Sequence, residues 1–179
     1  MTLFRSGAAM AAALLATTAA WAAQSDGDGP AGKPGDATQA TRTIEVVMHD
    51  IYCEPDSISV AAGETVLFLI RNEGQLVHEF NISTPDMHHE HMPEMQMMVD
   101  HGVLHADRID HDMAETMSAQ MGHDMHHYFA NSALVEPGQS AELAWTFPKA
   151  GDVVIEFACT VPGHYDAGMV GPFQMDAGQ

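Results

Sequence analysis

The sequence predicts an all-β fold, a Greek-key β-sandwich that carries one long insertion. Two observations predict the sandwich: from residue 42 onward, short segments alternate apolar and polar residues with the period of a strand, and Gly- or Pro-containing turns separate them. In addition, hydrophobic residues make up 46% of the 179 residues, which is enough for a packed core. The insertion, residues 86–127, lacks this alternation, and we expect it to be partly helical or disordered.

The chain begins with a segment typical of an export signal. Arg5 precedes an apolar, Ala-rich run, and Ala20-Trp-Ala22 fits the small-x-small pattern of a cleavage site. We therefore predict a signal peptide over 1–22 and a periplasmic mature protein. The run is short for a membrane span, so we expect no stable membrane insertion, with an uncleaved anchor as the alternative. Residues 23–41 are rich in Gly, Ala, Asp and Pro and predict a flexible linker before the domain at 42–179.

Seven or eight short strands are expected in this domain. Apolar residues alternate at Ile44, Val46 and Met48, and His78 shares one face of its strand with Phe80 and Ile82. Strands this short, separated by turns, predict an antiparallel sandwich. In chain order the predicted strands lie at 44–48, 57–60, 65–70, 77–82, 143–147, 153–159 and 170–175.

Charge and composition restrict the function. Six Lys+Arg against 25 Asp+Glu give a formal net charge of −19, which excludes a protein that binds the phosphate backbone of nucleic acids. The chain also has 12 His and 14 Met but only two Cys. Imidazole and thioether both bind soft or borderline transition metals, so the composition indicates copper chemistry.

The most specific motif lies in one loop near the end of the chain. Cys159, His164 and Met169 offer a thiolate, an imidazole and a thioether at close spacing, directly after a predicted strand. Far upstream, His78 lies on the inward face of its own strand. Two His, one Cys and a weak axial Met form the trigonal copper site of electron-transfer proteins. These four residues are therefore the candidate metal ligands.

Three segments resemble the cupredoxin (blue copper) family: Asn72–Phe80, Leu143–Phe147 and Phe157–Met169. Within the family they are most similar to the periplasmic CopI-type copper-tolerance cupredoxins, which carry a similar His/Met-rich segment. The resemblance covers roughly 42 to 175. It implies a cupredoxin-like Greek-key sandwich with one type 1 copper near one end. It also implies that His78, Cys159, His164 and Met169 ligate this copper, both His through Nδ1.

Two features depart from the family pattern. Many members have Asn after the first His ligand, whereas this chain has Glu79. We expect the Glu79 side chain still to accept a hydrogen bond from Thr160, because such outer contacts orient metal ligands. The gap of four residues between Cys159 and His164 is also longer than in the plastocyanin-like branch.

The insertion suggests additional metal binding. Residues 86–127 hold nine His, nine Met and nine acidic residues, with Arg108 as the only Lys or Arg. Several Met, and two His, recur every four residues, so each set is expected along one side of a helix. Two other interpretations stay open: a solvated loop whose Met pack on the sandwich, and a surface that docks a redox or copper-transfer protein. The candidates for accessory copper are Met113, Met117, Met121, Met125, His101 and His105.

Cys53 is the second cysteine. A disulfide between Cys53 and Cys159 would consume the copper thiolate, so we expect Cys53 to be a buried free thiol at the end of a strand. An accessory Cu(I) site that uses Met48 or His49 is the alternative.

These observations predict an exported copper-binding cupredoxin that acts in copper tolerance. One redox-active mononuclear site would hold copper tightly, and the insertion would buffer more. The alternative is an electron-transfer shuttle to a respiratory or oxidising enzyme, which needs the same ligands but not the insertion. An enzyme is not expected, since Ala158 and Thr160 flank Cys159 where a bridging His would stand, and His89-Glu-His91 is too little for a trinuclear cluster. Oxidation of Cu(I) by dissolved oxygen stays open as a side activity.

Overall fold

Two five-stranded sheets face each other in the computed structural model, which describes residues 29–149 and 153–176. The predicted signal peptide, 1–22, lies outside the described residues. The first sheet has the order β1-β8-β5-β2-β3 and the second β4-β10-β9-β6-β7, so the all-β sandwich prediction is confirmed. The strands are β1 (Lys33–Pro34), β2 (Arg42–His49), β3 (Tyr52–Glu54), β4 (Ile58–Ala61), β5 (Thr65–Asn72), β6 (His78–Ser83), β7 (Ser132–Val135), β8 (Ser140–Thr146), β9 (Glu156–Ala158) and β10 (Val170–Asp176).

Two neighbouring pairs of strands run parallel, which differs from the predicted antiparallel sandwich. β2 pairs with β5, and β4 with β10, in the parallel sense. The other paired neighbours among the described strands are antiparallel. The reason is the order of the chain: β3 folds back on one edge of β2 and β4 crosses to the second sheet, so β5 returns along the other edge of β2 in the same direction.

The core between the sheets is aromatic. Phe68 of β5 lies 5.4 Å from Phe80 of β6 and 6.0 Å from Phe173 of β10, measured between ring centroids. Phe80 in turn lies 5.5 Å from Phe157 of β9. Aromatic pairs of this kind add about 0.5–1.5 kcal/mol each beyond the burial of their area. The two pairs that include Phe68 join the two sheets, and Phe80 and Phe157 lie at inward positions that the sequence alternation predicts.

The strand predicted at 153–159 is shorter than expected. Only Glu156–Ala158 pairs as β9, while Val153 and Val154 are 39% and 64% exposed. Ile155, Phe157 and Cys159 are buried, as the alternation predicts. β9 lies between β6 and β10. Cys159 therefore leaves the sheet beside the strand that carries His78.

The described part of the predicted flexible linker, residues 29–41, packs against the sandwich instead. β1 pairs with the edge of β8, and Ala31 is buried beneath Trp145, whose Nε1–H donates to the Ala31 carbonyl at 2.9 Å. Asp36 then caps a single 3-10 turn at Ala37–Gln39. Backbone pairing needs no large side chains, which is why a segment of this composition is ordered where an edge strand accepts it.

The insertion forms two helices, so its predicted partly helical character is confirmed. α1 (Pro85–Asp100) begins at the cap Thr84, whose side chain accepts from the Met87 N–H. α2 (His111–Met121) begins at the cap Asp110 and ends at Gly122, which adopts φ 75°. Neither of these helices of the described chain is both long enough and apolar enough to cross a bilayer.

The insertion covers the outer face of β6. All six residues of this strand are buried, including the polar Glu79, Asn81 and Ser83 on the face turned away from the core. His88 of α1 lies 3.2 Å from the Asn81 carbonyl through Nε2 and 3.0 Å from Glu156 Oε1 through Nδ1. These buried polar contacts hold α1 of the insertion against β6, the strand that carries His78.

Candidate metal centre

His78 is held at the start of β6 by contacts with both ring nitrogens. Its ring is buried, with Nδ1 3.9 Å from Cys159 Sγ and Nε2 3.2 Å from Asp50 Oδ1. A carboxylate on the far nitrogen is the usual way in which a protein orients an imidazole ligand. Nδ1 is therefore the nitrogen directed toward the sulfur.

The loop from Cys159 to Met169 is closed by its own backbone hydrogen bonds. The Cys159 N–H donates to the Met169 carbonyl at 3.0 Å, and the Met169 N–H donates to the His164 carbonyl at 3.0 Å. Gly163 and Gly168 have φ of 88° and 99°, a region that other residues rarely adopt. These turns bring three residues that are up to ten positions apart in the sequence next to one another.

Three of the four predicted ligands meet in one buried cluster. Cys159 Sγ lies 3.3 Å from His164 Nδ1, and the two imidazole centroids are 5.0 Å apart. The donor atoms of His78, Cys159 and His164 all lie within 4.8 Å of one another. Met169 is fully buried, and its backbone is bonded to two members of the cluster.

Burial sets the protonation of this cluster. Burial, with the nearby His78, lowers the pKa of His164 to about 4. Burial also lowers the pKa of His78, although Asp50 opposes that shift. The pKa of the Cys159 thiol is raised, again by burial. At neutral pH both imidazoles are therefore uncharged and able to bind a metal, which must displace a proton from the sulfur.

Glu79 connects the sulfur to the residues around it. Its backbone N–H donates to Cys159 Sγ at 3.3 Å. Its Oε2 accepts from both the N–H and the hydroxyl of Thr160, which confirms the contact expected from the sequence. Its Oε1 accepts from Asn81 Nδ2 and from the Ser132 hydroxyl. The carboxylate is thus fully buried and provided with donors on both oxygens.

A second cluster, which the sequence analysis missed, lies on the other side of Glu79. Its Oε1 is 3.1 Å from His127 Nε2 and 3.4 Å from His91 Nε2. The two histidines hold the pKa of Glu79 well below its usual value, although burial opposes this. Burial disfavours the charged form of His91, but the carboxylates of Glu79 and Glu94 outweigh this and raise the pKa of His91 to about 10. The one sequence feature that could have indicated this second cluster was Glu79, at a position where many members of the family have Asn.

The residues predicted for accessory copper are not arranged as the sequence suggested. Met113, Met117 and Met121 do lie on α2, the first and last of them exposed. Met125 lies beyond the end of that helix at Gly122 and is buried, so it does not continue the line of Met. His101 is the cap of α1 and His105 lies in the segment between the helices, because α1 ends at Asp100. The predicted shared helical side for these two His is therefore wrong.

Cys53 is a buried free thiol on β3, as expected. It pairs with Met48 across the sheet, and burial raises the pKa of its thiol to about 12.

The comparisons with known proteins agree with this architecture. The model of the Cupredoxin-like domain matches residues 8–108, more than half of the sequence, and the chain belongs to the cupredoxin family. It is 51% identical over 149 residues to the copper-resistant cuproprotein CopI of Pseudomonas aeruginosa, covering 78% of this chain and 79% of that protein. It is 38% identical over 173 residues to the protein of the same name from Rubrivivax gelatinosus, covering 89% of each. The predicted resemblance to CopI-type cupredoxins is thus confirmed.

A solved structure shares the fold at lower identity. Auracyanin B superposes with a TM-score of 0.56 at 19% identity, covering 84% of this chain and 99% of that one. This similarity supports the sandwich architecture alone.

Proposed function

We propose that this chain is an exported, periplasmic copper-binding cupredoxin that acts in copper tolerance, with one redox-active copper held by His78, Cys159, His164 and Met169. The observation that carries the proposal is the buried cluster in which Cys159 Sγ faces two Nδ1 atoms, one of them at 3.3 Å. The relatives named as copper-resistant cuproproteins support the physiological role.

The donor set suits copper in both oxidation states. A thiolate and two imidazoles serve Cu(I) and Cu(II), and a weak axial thioether adjusts the potential. Copper would supply a one-electron couple. The chain itself buries the sulfur, keeps both imidazoles neutral and fixes His78 through Asp50. The proposed role is binding and electron exchange, not catalysis.

The insertion is proposed to capture and buffer further copper. Met113 and Met121 are exposed on α2, and thioethers bind Cu(I) in preference to harder ions. Nine acidic residues in 86–127 give the segment a negative field that attracts cations. Low-affinity capture at the surface would then complement tight binding in the sandwich.

A copper titration of the purified full chain tests both parts. Cu(I) is titrated under reducing conditions into the wild type, into a variant with Met113, Met117 and Met121 replaced by Leu, and into Met175→Leu as a control outside the insertion. We expect the wild type and the control to bind more than one equivalent and the triple variant to bind fewer. Equal binding by all three would reject buffering by α2. In wild-type protein loaded separately with Cu(II), absence of a thiolate-to-copper absorption would reject the sandwich site.

Electron transfer to a partner is the second candidate. His164 is only 9% exposed, but it adjoins the exposed Pro162 and Gly163, which gives the cluster an edge at the surface. A cleft of about 330 Å³ next to this edge is lined by Met92 and Gln96 of α1 and by Tyr165 of the loop. Met-containing surfaces adapt to several partners. A deletion strain that tolerates high copper but loses a respiratory electron path would favour this function over copper tolerance.

A further inference from the structure

Two imidazoles and one carboxylate converge between the insertion and the outer face of β6. Glu79 Oε1 lies 3.1 Å from His127 Nε2 and 3.4 Å from His91 Nε2. The two Nε2 atoms are 3.0 Å apart. Three donor atoms thus face one point, and they come from three different elements: β6, α1 and the segment that follows α2.

The three donor atoms form a triangle whose sides match the distances between ligands around one metal ion. Divalent zinc and similar ions bind imidazole nitrogen and carboxylate oxygen at about 2.0–2.2 Å. Two such ligands are then roughly 2.9 Å apart at a right angle and roughly 3.4 Å apart at the tetrahedral angle. The observed edges of 3.0, 3.1 and 3.4 Å fall within this range.

We propose that Glu79, His91 and His127 form a second metal site, separate from the cluster around Cys159, that binds a borderline divalent ion. Imidazole and carboxylate without thiolate or thioether suit Cu(II) or Zn(II), not Cu(I). The assignment of Cu(II) as the ion rests on the proposed function, whereas the site itself does not.

The surroundings of both rings agree with ligation through Nε2. All three side chains are buried, and the Nδ1 atoms of His91 and His127 have no hydrogen-bond partner among the described residues. Glu94 Oε2 nevertheless lies 3.4 Å from His91 Nδ1, the side on which a carboxylate commonly orients a metal-binding imidazole. Phe129 packs edge-on against both rings, at 5.2 and 4.9 Å between centroids. The rings are therefore held with Nε2 toward Glu79.

The site would couple the insertion to the sulfur of the first cluster. The two His come from the beginning and the end of the insertion, so an ion would fix both ends to the sandwich. The third ligand, Glu79, donates its backbone N–H to Cys159 Sγ. Occupation of the second site should therefore shift the thiolate-to-copper absorption without removing it.

The test counts tightly bound Cu(II) on the full chain by elemental analysis and resolves it by EPR. The variants are His91→Gln and His127→Gln, and the matched control is His126→Gln, whose ring contacts Asp124 and Tyr128 instead. We expect two spectroscopically distinct Cu(II) ions in the wild type and the control. His91→Gln and His127→Gln should each lose one equivalent of Cu(II) and one EPR signal, while the thiolate absorption persists. Unchanged counts and spectra in both would overturn the proposal.

A second measurement does not depend on the folding of those variants. Zn(II) is added to the Cys159→Ser protein, and the ring resonances of His91 and His127 are followed by NMR. Saturable shifts of both rings at one equivalent support the site, and unaffected rings reject it in favour of an internal ion pair. Absence of the thiolate absorption in the Cu(II)-loaded wild type would instead reject the proposed function. Failure of the second site and failure of the proposed function therefore give different results.

Discussion

The backbone N–H of Glu79 donates a hydrogen bond to the Sγ of Cys159 at 3.3 Å, across 80 positions of sequence. The same residue accepts the Thr160 N–H through Oε2 and faces two histidines through Oε1. An N–H directed at a thiolate stabilises its charge and thereby tunes the metal that it binds. Glu79 thus contacts both the histidines of the insertion and the sulfur of the candidate metal cluster.

Glu79→Gln should destabilise the protein while leaving the backbone hydrogen bond to sulfur in place. An amide has one acceptor oxygen where the carboxylate has two, so the donors on one side, such as Thr160 or Ser132, lose their acceptor in a buried site. We expect a loss of about 3 kcal/mol in the free energy of unfolding, measured by urea denaturation of the metal-free protein. The exposed Glu142→Gln is the control, and an equally small change in both variants would contradict the prediction.

Cys159→Ser should remove the strong thiolate-to-copper absorption of the copper-loaded protein, because a hydroxyl does not donate charge to copper as a thiolate does. Cys53→Ser is the matched control, since Cys53 is buried on β3 as a free thiol. We expect its visible spectrum and copper count to equal those of the wild type. A band that survives Cys159→Ser would show that the ligand assignment is wrong.

Met169→Leu should raise the reduction potential while copper stays bound. Leu is similar in volume and fits the buried position, but it offers no donor atom, and the axial ligand is one of the determinants of the potential in such sites. We expect a rise of about 60 mV or more, which corresponds to a tenfold change in the one-electron equilibrium. Protein-film voltammetry measures it, with Met175→Leu as the control. An unchanged potential would place Met169 outside the site.

Asp50→Asn should weaken copper binding by roughly tenfold to a hundredfold, the usual effect of changing a residue that orients a ligand. Asp50 Oδ1 lies 3.2 Å from His78 Nε2 and also accepts the N–H groups of Gln75 and Leu76. The amide can still accept from the backbone, but it lacks the charge that favours the Nε2–H tautomer of His78. Competition with a chelator measures the affinity, and Asp56→Asn, on an exposed turn, should have no effect.

The sequence predicted the parts of the protein that depend on local spacing. Cys159, His164 and Met169 lie in one loop, and the alternation around His78 predicts that its ring points inward. The predicted sandwich fold alone is then enough to bring this ring next to the loop. Glu79, His91 and His127 come together only because the insertion folds back over β6, which no local pattern indicates. The regular structure of residues 29–41 likewise depends on β8, because β1 pairs with its edge. A four-residue spacing placed Met125 on a helix that Gly122 ends.

The stability of the metal-free protein should fall as the pH rises above neutrality, because of His91. Burial disfavours its charge, but Glu79 and Glu94 raise the pKa of His91 from 6.5 to about 10. A histidine with a raised pKa in the folded state stabilises fully below its unfolded pKa, and this contribution is lost as the pH rises through the folded value. We therefore expect the free energy of unfolding, from urea denaturation at a series of pH values, to decline between about pH 6.5 and 10.

His91→Gln should abolish most of this slope. Some decline above pH 9 should remain in the variant, since burial raises the pKa of Cys53 to about 12 and the unfolded thiol ionises first. A wild-type profile that is flat from pH 7 to pH 9 would show that His91 is neutral in the folded protein.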